Sequence, residues 1–210
     1  MIRCRRRSHD RRPPATIWTA ATYNRIARYY DAVFKLVLPI AEKARYGLLK
    51  DLEPGSILDV ACGTGTLLAM AYRRGLTCYG IDTSVGMLRQ ARRKVPDVEL
   101  RIASLYRLPY ADECFDYVVE TNAVSAIGID ANRALAEMVR VCRRGGEIRI
   151  ADYAKPMHED WQTRLLQKLG AIVGDYPHDY PAILEELGLV AHVETLGGHG
   201  TYQLITAAKS

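Results

Sequence analysis

Between Ser56 and Ala151 short apolar runs alternate with stretches of helical periodicity, and this alternation constrains the fold more than any other feature of the chain. SILDV (56–60), TCYGI (77–81), residues 98–102, DYVVE (116–120) and EIRIA (147–151) have the length and composition of buried strands. Residues 66–74, 84–94 and 129–142 between them have helical spacing. Strands joined through helices run parallel, because a parallel pair needs a long crossover. The expected architecture is therefore α/β: a doubly wound sheet with helices on both faces. Two further strands, 190–196 and 201–207, flank the short glycine loop 197–200 and must pair antiparallel. The sheet then has seven strands, mostly parallel, with an antiparallel C-terminal strand.

Around this core we expect a single domain over residues 19–210. Residues 19–54 form its N-terminal helical part, with helical spacing over 22–50, Pro39 as a break or helix start, and a turn at Glu53-Pro54-Gly55. Residues 55–152 form the ligand-binding core. Residues 153–210 supply helices near 158–169 and 180–187 and the final hairpin. Residues 1–18 read as a disordered basic tail. Six arginines (Arg3, Arg5, Arg6, Arg7, Arg11 and Arg12) face one acid, Asp10, within residues 1–14, and this accounts for the whole formal charge of +5. The remainder carries equal numbers of basic and acidic side chains, which argues against a nucleic-acid-gripping fold, since that needs clustered cations on the body. The tail itself is expected to be inert or the product of an upstream translation start. The five cysteines are scattered, with no C-x-x-C pair and no metal-ligand spacing, as in a reducing cytoplasm. No apolar run is long enough to span a bilayer; peripheral membrane contact and oligomeric state stay open.

Asp59-Val60-Ala61-Cys62-Gly63-Thr64-Gly65 links the first strand to the first helix of the alternation. Ligands bind open α/β sheets at such strand ends. Gly63 and Gly65 allow a tight turn and close backbone approach. A dinucleotide fingerprint needs a third glycine where Leu68 stands, and a phosphate-binding loop needs a lysine that is absent. A nucleoside without phosphates fits better. Asp82, closing the second strand, can accept both hydroxyls of a ribose, its competing role being a cap on the next helix.

These residues carry a resemblance. ILDVACGTG (57–65), YGIDTSVGMLRQARRK (79–94), LPYADECFDYVVE (108–120), EMVRVCRRGGEIRIADY (137–153) and YNRIARYYD (23–31) fall in the order seen in class I S-adenosylmethionine-dependent methyltransferases. The chain is most similar to their ubiquinone/menaquinone-methylase-type group (methyltransferase domain 11). The resemblance implies a Rossmann-like sheet and S-adenosyl-L-methionine as cofactor. It places Asp59, Ala61, Gly63 and Gly65 against the methionine part, Asp82 on the ribose, Thr83 and Met87 beside the adenosine, and Ser104 and Leu105 at the adenine edge. Glu120 and Asn122 should face the methionine end and the acceptor. Tyr23 and Tyr30 should fold over the site as part of a lid. Two positions depart from the family: Ala61 stands where glycine is frequent, and Ala103-Ser104 replaces a Gly-Asp step, keeping an acceptor without its charge.

The acceptor side offers Asp152 and Tyr153 after the fifth strand, His158, and the segment GDYPHDYP (174–181) with Asp175, His178 and Asp179; His199 lies in the hairpin. Asp152, His158 and His178 are the pocket candidates beside Tyr30 and Asn122. A sulfonium methyl is already electrophilic, so positioning can supply much of the rate without a catalytic dyad. The expected activity is methyl transfer to a small or lipid-like acceptor by in-line displacement. The alternatives are a cofactor-binding protein with an RNA-associating tail and a nicotinamide oxidoreductase.

Overall fold

The computed structural model describes residues 19–37, 40–126, 129–156, 159–173, 176–197 and 200–210. The basic tail, His158, Asp175 and His199 lie outside the described residues. Seven strands form one sheet: β1 (Ser56–Val60), β2 (Thr77–Asp82), β3 (Glu99–Ile102), β4 (Phe115–Thr121), β5 (Cys142–Tyr153), β6 (Ala191–Gly197) and β7 (Tyr202–Ala208). Their order is β3-β2-β1-β4-β5-β7-β6. The first five are parallel, and β7 runs antiparallel to both β5 and β6. The order reverses at β1, with β2 on one side and β4 on the other, which opens a crevice at the carboxyl ends of these strands.

The apolar runs are continuous because the sheet is covered on both faces. In β4, Val118 packs with α6 (Ala131–Val141) and α8 (Tyr180–Glu186), through Leu135, Met138 and Leu184. Its neighbour Val119 packs in the opposite layer with Leu48, Leu68 and Leu88 of α3 (Ile40–Leu48), α4 (Thr66–Arg73) and α5 (Val85–Lys94). Side chains fix where the helices begin. The Ser84 hydroxyl accepts from Met87 N at 3.1 Å to start α5, Asp130 accepts from Arg133 N to start α6, and Asp179 caps α8 with Pro181 in its first turn. Arg92, Arg93 and Lys94 close α5, where cations oppose the helix dipole. A further helix, α7 (Trp161–Val173), precedes α8.

Two local expectations are refined. The helical stretch 22–50 holds three helices, α1 (Ala20–Ile26), α2 (Tyr30–Val37) and α3, and Pro39 lies outside the described residues. The extra break at 27–29 turns through Tyr29 N donating to Ile26 O and buries Ala27. Arg143–Gly146, read as a helix stop, belongs to β5, which starts directly after α6. Gly145 adopts φ 71°, and Gly145 N and Lys209 N pair with Lys209 O and Gly146 O. The register against β4 shifts there, so the glycines form an irregular strand start rather than a loop. Among the described residues all cysteines are free thiols, and no helix is long and apolar enough to cross a membrane.

Arg149 locks the N-terminal helices to this sheet. It is 9% exposed, pairs with Glu147 at 2.7 Å, and donates to the carbonyls of Leu48 and Lys50 at the end of α3. Arg149→Met should cost about 2–3 kcal/mol, the scale of losing charged hydrogen bonds to groups left partly buried. Urea denaturation checks this, and an unchanged midpoint would show the tie to be energetically neutral.

Candidate active site

The strand-to-helix loop after β1 turns on three left-handed residues: Ala61 (φ 59°), Gly63 (φ 53°) and Gly65 (φ 73°). The two glycines serve different ends. A Cβ on Gly65 would stand 2.8 Å from that of Ala91, so this glycine lets α4 start against α5. A Cβ on Gly63 would meet nothing within 4 Å; it would project into open space at the crevice. Asp82 holds the loop from the end of β2. One oxygen accepts from Gly63 N at 2.9 Å and the other from Ser84 N at 2.7 Å. The helix cap proper is Ser84, so Asp82 is not used up in that role. Burial raises its pKa above the carboxylate norm, against the backbone N–H groups of Ser84, Gly63 and Thr83.

Asp59, at the end of β1, is 2% exposed and lines a pocket of about 400 Å³, open mouth included, together with Tyr30, Arg45, Gly63, Thr121 and Asn122. Burial pushes its carboxyl up to about 8; the Arg45 guanidinium pulls it down and the Asp82 charge adds to the rise. The first two helices cover this loop. Asn24 of α1 accepts from the Ser84 hydroxyl at 2.9 Å and from Gly86 N at 2.6 Å, and Gly86 has no Cβ because Asn24 Cα would lie 2.8 Å from it. Asp31 of α2 accepts from the Thr64 hydroxyl and pairs with Lys94 at 2.6 Å; Lys94 also donates to Thr64 and Thr66. Tyr23 and Tyr30 meet edge to face at 6.1 Å, and burial raises the Tyr30 pKa.

At the ends of β4 and β5 lie two fully buried carboxylates. Glu120 accepts from Ala123 N and Val124 N. Asp152 accepts from Ser125 N at 2.8 Å, Tyr153 N at 2.7 Å and the Tyr180 hydroxyl at 2.8 Å. Burial raises both, and Glu120 is driven further up by the Asp152 charge beside it. With more donors aimed at it, Asp152 keeps the charge and Glu120 takes the proton. Together they clamp the segment 122–126, whose first residue, Asn122, sits at φ 55°.

The structure thus brings Asp59, Ala61, Gly63, Asp82, Tyr23, Tyr30 and Asn122 to one crevice. Thr83 is exposed beside Asp82, while Met87 is buried under the start of α5. The Ser104 hydroxyl accepts from Tyr106 N, and Leu105 packs on the core. Glu120 and Asp152 lie behind the pocket wall as backbone clamps, and His178 is next to Asp152. His158 lies outside the described residues. Sequence reading passed over Arg45, Asn24, Thr66, Tyr180 and Tyr202. Thr66 opens α4 directly after the loop, the others act from elements distant in the chain, and only the Y-x-x-x-A-x-x-Y-D stretch hinted at the parts of Asn24 and Asp31.

Residues 58–150 match the family model described as a methyltransferase domain. A demethylmenaquinone methyltransferase of Renibacterium salmoninarum is 33% identical over 163 residues, covering 75% of this chain and 67% of the relative. One from Mycolicibacterium paratuberculosis is 30% identical over 182 residues, covering 80% and 76%. The chain belongs to the class I S-adenosylmethionine-dependent methyltransferases, in the ubiquinone/menaquinone-methylase-like group. Solved structures agree on the fold. A methyltransferase of Thermotoga maritima superposes with TM-score 0.71 at 17% identity over 91% of this chain and all of that one. The geranyl diphosphate C-methyltransferase of Streptomyces coelicolor gives 0.67 at 15%, over 94% and 86%.

The protein is therefore an S-adenosylmethionine-dependent methyltransferase, and its crevice fits that cofactor. A backbone cradle at Gly63 lacks the Cβ that would project into it, and a buried carboxylate, Asp59, faces it. Arg45 and Asp59 both line it, so the crevice presents one cationic and one acidic side chain. Burial holds the Asp59 carboxyl up at about 8, which favours its protonated form at neutral pH in the free protein. A cationic ligand favours the carboxylate, so binding must release that proton. Affinity for S-adenosylmethionine should fall by at least tenfold between pH 8 and pH 6, by up to one decade per pH unit. Asp59→Asn should bind more weakly at pH 8 and lose this dependence. Calorimetry in buffers of different ionisation enthalpy checks both the slope and the released proton.

Proposed function

We propose that this methyltransferase acts on a quinone-type ring in its hydroquinone form, with Asp82 holding the cofactor ribose and the α1–α2 segment serving as a lid. The observation that carries the acceptor class is the kinship with demethylmenaquinone methyltransferases at 30% and 33% identity. The hydroquinone is the reactive form because only the electron-rich ring has a nucleophilic carbon. The bound cofactor supplies an electrophilic methyl group; the chain's own residues orient, enclose and dry the reacting pair. Asp82 suits the ribose because it closes β2 beside the Gly63 loop, with lone pairs left after its two backbone bonds. Asn24 and Asp31 tie α1 and α2 down over the same loop, so one closing movement excludes water and seats the cofactor.

Asp82→Ala should weaken S-adenosylmethionine binding by at least 30-fold, about 2 kcal/mol, through lost charged hydrogen bonds. Titration calorimetry reads this, and binding within threefold of the original protein would remove Asp82 from the site. Deleting residues 1–14 should leave both cofactor affinity and turnover unchanged. Salt-dependent RNA binding that vanishes with those residues, without any acceptor turnover, would favour an RNA-associating protein instead.

A further inference from the structure

The body of the chain balances its charges in number but not in place. Residues 19–28, 65–76 and 83–96 carry Arg25, Arg28, Arg73, Arg74, Arg89, Arg92, Arg93 and Lys94, and no Asp or Glu. All of these basic residues are exposed. The three spans build α1 with the turn after it, α4 and α5, and α5 packs against both of the others. Along α5 burial is one-sided: Met87, Leu88 and Ala91 are buried, while Val85, Arg89, Arg92 and Arg93 share the outer face.

Lys94 is engaged by Asp31. The other basic residues of this set have no acidic partner among the described residues. Arg74 and Arg92 donate to the carbonyls of Leu49 and Val98, and Arg93 to the Gln90 amide oxygen; these neutral acceptors leave the charge uncancelled. The neighbouring acids are already occupied, Asp31 by Lys94, Asp97 by the Tyr72 hydroxyl and Glu99 by Arg101. Folding does not ask for this pattern. Helix dipoles favour cations in last turns and, equally, acids in first turns, yet the first turns of α1, α4 and α5 hold no acid. Arg89 and Arg93 stand one helical turn apart, where like charges repel. A face of one sign that works against the fold calls for an anionic partner.

Apolar side chains among the cations say which partner. Tyr29 is 63% exposed, Val33 56% and Val85 38%. The Arg28 guanidinium lies over the Tyr29 ring at 5.7 Å, Val33 follows one turn further along α2, and Val85 opens the cationic face of α5. Valine offers a nucleic acid neither a stacking plane nor a hydrogen bond. Aliphatic and aromatic side chains set among arginines are instead the pattern that settles into a lipid interface. The arginine-rich residues 1–14 also precede α1 in the chain, so their charge joins the body at this face. We propose that the face formed by α1, α4 and α5 docks onto the surface of an anionic lipid bilayer. Asn24 and Asp31 tie α1 and α2 over the cofactor loop, so docking sets these covering helices against the lipid. The hydroquinone reading above is not needed for this step.

The test is co-sedimentation of the full chain with vesicles of phosphatidylcholine alone and of phosphatidylcholine mixed with phosphatidylglycerol. Binding should need phosphatidylglycerol and fall steeply as salt is raised to about 0.5 M. Each cation near such a surface is worth about fivefold in partition, so Arg89→Gln together with Arg93→Gln should lower the partition coefficient about 25-fold. Cofactor affinity should stay within twofold, because glutamine is a good helix former and both positions are exposed. Equal binding to both kinds of vesicle, or none, would overturn the docking. A double variant that partitions within threefold of the original protein would overturn the role of this face and leave attachment to residues 1–14. Binding to polyuridylate that exceeds vesicle binding at the same salt, and falls in the double variant, would overturn the lipid in favour of a nucleic acid. Neither assay contains a methyl acceptor, so failure here leaves the hydroquinone reading standing.

Discussion

The site depends on one carboxylate. Asp82 bonds Gly63 N with one oxygen and Ser84 N with the other. It thereby joins the loop after β1 to the end of β2 and to the start of α5. The loop's left-handed residues would otherwise have several turns open to them, and the crevice shape follows from the one this carboxylate selects. Ser84 in turn caps α5 and donates to Asn24, so α1 is docked through the same chain of bonds. Loop, strand end, helix start and covering helix are coupled within a few residues. A ligand that touches Asp82 touches all of them.

A second, deeper layer of the site is made of buried carboxylates. Asp59, Glu120 and Asp152 close β1, β4 and β5, and burial lifts all three above the ordinary range. Their tasks differ because their partners differ. Glu120 and Asp152 spend themselves on backbone N–H groups of residues 123–125 and 153, which fixes the segment behind the pocket wall. Asp59 faces the pocket beside Arg45, and burial favours its protonated form. The buried polar cost of folding is concentrated at one end of the sheet, where a ligand can repay it.

Much of this was legible in the chain. The alternation of apolar runs, Gly63, Gly65 and the acid closing the second strand all depend on local spacing, and local spacing survives into the fold. Ala61 marked a departure from the family, and its φ of 59° gives the reason glycine is frequent there. The break at 27–29 in the N-terminal helices was not legible, because the docking of α1 on Gly86 is a contact across 62 residues. Nor was Arg45, whose place in the pocket depends on α3 packing under β7 and β5 through Gly47 and Arg149. Arg143–Gly146 misled in the other direction: two glycines read as a stop, but pairing with Lys209 turns them into a strand.

By itself the sequence determined a parallel α/β sheet with a nucleoside-type loop at its switch point, since periodicity and glycine placement act within one or two elements. The tertiary structure alone decided which groups share an environment. His178 and Asp152 are 26 residues apart in the chain, yet the bridge between Ala154 and His178 makes them neighbours. Asn122 and Tyr202 meet only because β7 inserts beside β5. Burial and proximity set the protonation states of such groups, and neither exists until the chain is folded.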